Sequence, residues 1–312
     1  MKSDQQALQA RYAAALEALI DQIKTDRSIV AAMLCGSLSH DVVWEKSDID
    51  LLLVTVDDKQ IKTSDLPIDA DGVNVHALLV PRADFRKMVE GTLQHSFLHS
   101  FLSKGRVLYT HDETITALCE RLKDVGRRDT ELQLFRAAQH ALAPMDKARK
   151  WFVTRRDLDY SALWILYAAT PLAQVEVMSR RLVPDREVIP QALKLNPTFF
   201  DLIYTRLLNA PKTADAVERA LDAIDAYLGD RAPALFRPVL DHLREVGEAR
   251  SARDLDDHFT RHMNLGGVTT VCEYLADHGW LGKASAPAKL TARSNVQVQE
   301  MAFYYVGKPA GV

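Results

Sequence analysis

The periodicity of the sequence changes once, near residue 112, and this constrains the fold more than any other feature. Before that point, short apolar runs follow one amphipathic segment. Within residues 6–23, Leu8, Tyr12, Ala15, Leu16, Leu19, Ile20 and Ile23 recur at roughly 3.6 residues and predict a helix. Ile29–Cys35 reads as a buried strand entering a tight turn at Gly36-Ser37. Residues 49–56, almost all Leu and Val, predict a second strand ended by Asp57-Asp58-Lys59, and residues 73–80 a third stopped by Pro81. Residues 84–91 read as a short helix with Gly91 at its C-terminus.

After Asp112, helical periods run from Thr114 to about Val246. They are punctuated by Pro144, Pro171, Pro184, Pro190, Pro197, Pro211, Pro233 and Pro238, each read as a helix start, end or kink. Residues 213–228 form the cleanest amphipathic helix, and a bundle of four to six helices is expected. Further on, residues 255–262 and 268–278 predict two helices and 279–282 a turn. A polar loop over 284–295 and a β-strand over 296–306 complete the chain. The expected fold is α+β: an α/β domain over 1–112, a helical bundle over 113–247 and a third small domain over 248–312.

Composition narrows the function classes. The 39 Lys and Arg against 42 Asp and Glu leave a net charge of -3, so no global basic field holds nucleic acid or an anionic membrane. Cys35, Cys119 and Cys272 are too widely separated for a zinc motif or a disulfide framework, which points to a reducing, cytoplasmic setting. Near the N-terminus, Asp4, Gln5, Gln6, Gln9 and Arg11 interrupt any signal-peptide core. The longest apolar stretch, residues 162–178, contains Pro171, Gln174 and Glu176, and no membrane span is expected.

The chemistry concentrates between the first two strands. Gly36-Ser37 is followed by ten residues and then by Asp48-Ile49-Asp50. Aspartates at i and i+2 on a strand share one face while Ile49 faces the core. Carboxylates so placed repel unless a cation lies between them, and Mg2+ suits hard oxygen ligands shared with phosphates. Gly36 permits a turn tight enough to approach a phosphate, to which the Ser37 hydroxyl and nearby N–H groups can donate. In the third strand Asn74 and His76 share a face, Asn74 offering a carbonyl oxygen to a metal and His76 a general base. Arg136, Lys147, Arg149, Lys150, Arg155 and Arg156 are candidate triphosphate clamps, with Lys147 and Lys150 favoured. Trp151, Phe152, Tyr160, Trp164 and Tyr167 read as bundle core rather than a stacking platform.

The segment from Cys35-Gly36-Ser37 through Ser47-Asp48-Ile49-Asp50-Leu51 resembles the signature of the DNA polymerase β-like nucleotidyltransferase superfamily. The resemblance implies a Gly-Ser turn holding an NTP triphosphate and an aspartate pair binding two divalent ions, Mg2+ or Mn2+. It also implies a third carboxylate on a neighbouring strand, where this chain has only Asn74 or His76. Asn74 is the expected third metal ligand and His76 the expected base. Residues 255–305 resemble a winged helix, with 268–275 as a helix of the helix-turn-helix. The whole order is similar to a bacterial nucleotidyltransferase-like family.

The implied activity is transfer of a nucleoside monophosphate, AMP from ATP being favoured, to an unknown hydroxyl or phosphate acceptor. The alternative is a catalytically degenerate, nucleotide-sensing regulator that binds DNA through its C-terminal domain. Residues 251–312 carry six basic and six acidic side chains, which weighs against DNA contact and leaves a packing or homodimerisation role open.

Overall fold

β1 (Ile29–Cys35) is buried at every position, as a central strand covered on both faces must be. In this computed structural model, residues 2–36, 44–91, 97–122, 127–291 and 293–307 are described. β1 pairs antiparallel with β2 (Ile49–Thr55), and β2 pairs parallel with β4 (Val73–Pro81). The edges are β3 (Ser64–Ala70), antiparallel to β4, and β5 (Arg106–Thr110), antiparallel to β1. The sheet order is therefore β3-β4-β2-β1-β5. β3 escapes the sequence reading because it is an exposed edge strand containing Pro67, which lacks apolar alternation. β5 is half-buried along most of its length and just as quiet in sequence.

One sheet face packs Ala32, Leu34, Leu51, Leu53 and Val75 against Tyr12, Leu16, Leu19 and Ile20 of α1 (Lys2–Ile23). The other face packs Met33, Cys35, Leu52 and Val54 against Phe85 and Val89 of α2 (Arg82–Gly91) and Leu102 of α3 (Phe97–Ser103). Ile115, Leu118 and Cys119 of α4 (Glu113–Arg121) join this second cluster. The chain divides into compact units at Met1–Gly126 and Arg127–Val312. Helical texture thus begins at α4, inside the first unit, because its apolar stripe completes the cover of the sheet.

The second unit is built on two long helices, α5 (Arg127–Arg155) and α6 (Leu158–Ser179), which run through Pro144 and Pro171. A proline removes one backbone hydrogen bond from a helix. Here burial of Ala141, Leu142, Met145 and Ala148 on α5, and of Ala168, Ala169, Leu172 and Ala173 on α6, offsets that loss. Pro197, Pro233 and Pro238 do lie in first turns, where no such hydrogen bond is lost. They open α8 (Pro197–Phe200), which follows α7 (Val188–Leu195), and later α11 (Ala232–Leu235) and α12 (Arg237–Val246). A π-helical turn (Asp201–Thr205) and α9 (Arg206–Asn209) precede α10 (Ala214–Gly229), whose N-cap Thr213 accepts a hydrogen bond from the Ala216 N–H.

The chain then forms β6 (Arg250–Ser251), α13 (Ala252–Met263), α14 (Val268–Asp277), β7 (Leu281–Lys289) and β8 (Gln297–Tyr305). The polar loop expected over 284–295 is instead strand as far as Lys289, because β7 pairs with β8 from Leu281↔Tyr305 to Lys289↔Gln297. Its Ala and Ser side chains give no hydrophobic alternation, so backbone pairing determines its structure. Phe135 of α5 meets Phe236 edge-on at 5.8 Å and stacks on Phe259 of α13 at 6.5 Å, and Phe303 of β8 belongs to the same cluster. Helical region and C-terminal sheet consequently share one core. Arg136 Nη2 donates to the Asn264 carbonyl and Gln139 Nε2 to that of Gly266, fixing the turn between α13 and α14. Among the described residues, no helix is long and apolar enough to cross a membrane.

Between α12 and α13, His242 stacks on His258 at 4.0 Å, and His262 lies one turn on at 4.8 Å. Burial, then Arg250, holds His242 below the ordinary imidazole range, with Glu245 opposing. Burial, then His242, His262 and Arg261, does the same for His258. Because the folded state binds these protons more weakly, stability is complete above about pH 6.5 and falls as pH drops through that value. The urea midpoint should therefore be lower at pH 5.5 than at pH 7.5, and His258→Gln should flatten the decline. A wild-type midpoint that does not change over this range would contradict this.

Candidate metal and nucleotide site

The site forms where β1 ends beside the start of β2. Cys35 pairs with Asp50, and the next residue, Gly36, adopts a left-handed φ of 69°. A Cβ on Gly36 would lie 1.9 Å from Asp50 Oδ2, so the carboxylate occupies the space any side chain would need. Ile49 is fully buried and anchors the strand, leaving Asp48 and Asp50 half-buried on the opposite side. Tyr12 of α1, itself 4% exposed, donates its hydroxyl to the Ser47 carbonyl at 2.6 Å. Ser47 Oγ accepts from the Trp44 N–H at 3.0 Å, and together these bonds fix the residue before Asp48. The sequence marks Tyr12 only as part of an apolar helix face, so its polar role has no local signal.

The parallel β2–β4 register sets Asp50 opposite His76. His76 Nδ1 is 3.5 Å from Asp48 Oδ2, and one ligand atom each from Asp48, Asp50 and His76 all lie within 4.8 Å of one another. Asn74 is exposed on the same face, two residues before His76, with Asp69 of β3 as its cross-strand neighbour. The Cys35 thiol is pushed up to about 12 by burial, then by the Asp50 and Cys119 charges, so it packs as a neutral group.

Ser37 lies outside the described residues. Lys147 and Lys150 are exposed on α5 in the second unit, where Lys147 Nζ sits 4.2 Å above the Trp164 ring. That ring belongs to an edge-to-face ladder, with Trp151–Tyr160 at 4.7 Å, Tyr160–Trp164 at 6.1 Å and Trp164–Tyr167 at 5.2 Å. Tyr160 and Tyr167 are 38% and 57% exposed and only Phe152 of the expected core cluster is buried, so the ladder lies at the surface.

Residues 17–114 match the family model for polymerase beta nucleotidyltransferases, a span that contains β1, β2, β4 and both aspartates. The N-terminal unit is a polymerase β-like nucleotidyltransferase domain. Over nearly the whole chain, the fold is similar to that of a nucleotidyltransferase-like protein from Exiguobacterium sibiricum 255-15. The TM-score is 0.58 at 16% identity, covering 94% of this chain and 99% of that one. At that identity the likeness concerns fold alone. Among curated proteins none matches the chain in sequence.

Among the described glycines of the nucleotidyltransferase domain, Gly36 leaves the least room for a side chain. Gly36→Ala should cost about 1–3 kcal/mol of stability, because it combines positive φ with a clash. The displaced Asp50 carboxylate should also weaken Mn2+ binding at least tenfold. Thermal unfolding and metal titration check this, and unaltered Mn2+ affinity in a folded variant would contradict the close approach.

Proposed function

We propose that the chain is a divalent-metal-dependent nucleotidyltransferase moving a nucleoside monophosphate, AMP from ATP by preference, onto a hydroxyl or phosphate acceptor. The observation that carries this reading is the convergence of Asp48, Asp50 and His76 beside the Gly36 turn. It lies within a domain whose family performs this chemistry. Two carboxylates and an imidazole directed at one point suit a divalent cation, which when bound would supply Lewis-acid stabilisation of charge on the phosphate oxygens.

In the reaction, an acceptor oxygen attacks the α-phosphorus and the bond to the β-phosphate oxygen breaks. Pyrophosphate leaves with the electron pair, and the acceptor proton passes to a base. Asp48 and Asp50 would hold the cation. Gly36 brings backbone near the triphosphate, and Ser37 donates to it. Holding these groups in place before substrate arrives lowers the entropic part of the barrier.

Calorimetry with ATP and AMP, each with Mg2+ or Mn2+ and then with chelator, tests the reading. ATP should bind more tightly than AMP and only with metal, and Asp48→Asn or Asp50→Asn should remove that dependence. Metal-independent binding of equal strength for both nucleotides would overturn it.

A further inference from the structure

We infer that His76 makes this site selective for a transition-metal ion such as Mn2+ over Mg2+, an inference that rests on the metal-dependent reading above. The first support is geometric. The 3.5 Å between His76 Nδ1 and Asp48 Oδ2 is long for a hydrogen bond, yet short enough for both atoms to bond one cation after a small side-chain rotation. All three donor atoms fall within 4.8 Å of one another, so one ion can reach all of them with small side-chain rotations.

The second support is chemical. First-row transition-metal ions, Mn2+ least among them, accept an imidazole nitrogen more readily than Mg2+, which takes a near-ideal octahedron of oxygens and retains water. The third support is positional. Asp50↔His76 on one side and Pro67↔His76 on the other fix the His76 backbone between two strands. Its side chain is 65% exposed, which leaves coordination positions open to water and substrate.

Full-length chain stripped with chelator is titrated with Mn2+ alone, following loss of the free-ion resonance signal, and then with Mg2+ as competitor. Most oxygen sites favour Mn2+ somewhat, so the change of the Mn2+ to Mg2+ affinity ratio among variants carries the inference. His76→Asp, which restores an all-oxygen set, should lower that ratio about tenfold or more. His76→Ala should weaken Mn2+ about tenfold with a smaller effect on Mg2+. Circular dichroism confirms folding of each variant.

A ratio unchanged in both variants would overturn the selectivity. If Asp48→Asn and Asp50→Asn still abolish binding of both ions in that case, the metal-dependent reading stands. If those variants bind Mn2+ like the wild type, that reading fails as well.

Discussion

Asp48→Asn and Asp50→Asn should each lower metal-dependent nucleotidyl transfer by about 10³-fold, the effect of losing several kcal/mol of electrostatic stabilisation at the transferred phosphorus. Each substitution keeps the side-chain shape, removes one anionic ligand and relieves repulsion across the pair. Thermal stability without metal should therefore hold or rise slightly. Pyrophosphate release with saturating nucleotide measures the loss, and the apo melting temperature separates it from unfolding. A variant that retains wild-type turnover would remove its aspartate from the site.

The largest stability effect is expected in the second unit, at Glu176 on α6. Its side chain is buried, accepting from Tyr227 Oη at 2.8 Å, Arg180 Nε at 2.9 Å and Asn196 Nδ2 at 3.3 Å. Burial pushes this carboxyl up, but the Tyr227, Arg180 and Asn196 hydrogen bonds and the Arg180 charge outweigh it, leaving it below the ordinary range. Burial and the Glu176 charge in turn hold the Tyr227 phenol above its usual value.

Glu176→Ala leaves the buried Tyr227 hydroxyl unpaired, while half-exposed Arg180 can turn to water, so the expected cost is about 3 kcal/mol. The contribution is present above about pH 4.3, the unfolded carboxyl value, and is lost as pH falls through the lower folded one. Urea unfolding of wild type and variant at pH 7 and pH 3 checks both statements. A difference that persists undiminished at pH 3 would contradict the charged role.

The same glutamate shows what sequence could and could not reveal. Glu176 stands out in an apolar run and argues against a membrane span, yet of its partners only Arg180, one turn on at the end of α6, is local, while Asn196 and Tyr227 lie on other segments and leave no local mark. β1 and β2 were readable because strands covered on both faces must be near-continuous runs of apolar residues, and β4 because buried Val73, Val75 and Ala77 alternate with exposed Asn74 and His76. β3 and β7 were not, since pairing to a neighbour rather than burial makes them strands. Pro144 and Pro171 read as breaks because local propensity omits the packing that carries α5 and α6 through them.

At the site, Gly36, Asp48 and Asp50 were legible from spacing alone. The choice between Asn74 and His76 was not, because strand parity sets both on one face. The β2–β4 register, which brings His76 opposite Asp50, is a tertiary fact. Tyr12 was read as core for the same reason: its body is buried in the apolar cluster while its hydroxyl reaches Ser47.

The most direct test of the central claim follows the α-phosphate. Full-length chain is incubated with each NTP labelled at the α-phosphorus, Mn2+ or Mg2+, and cell lysate as a source of acceptor. The account predicts that α-label becomes bound to a lysate component while pyrophosphate is released, with ATP the best donor and with Asp48→Asn and Asp50→Asn inactive. A folded protein that binds ATP with metal yet moves no label from any of the four nucleotides, with either ion, would contradict transfer and leave a nucleotide sensor in its place.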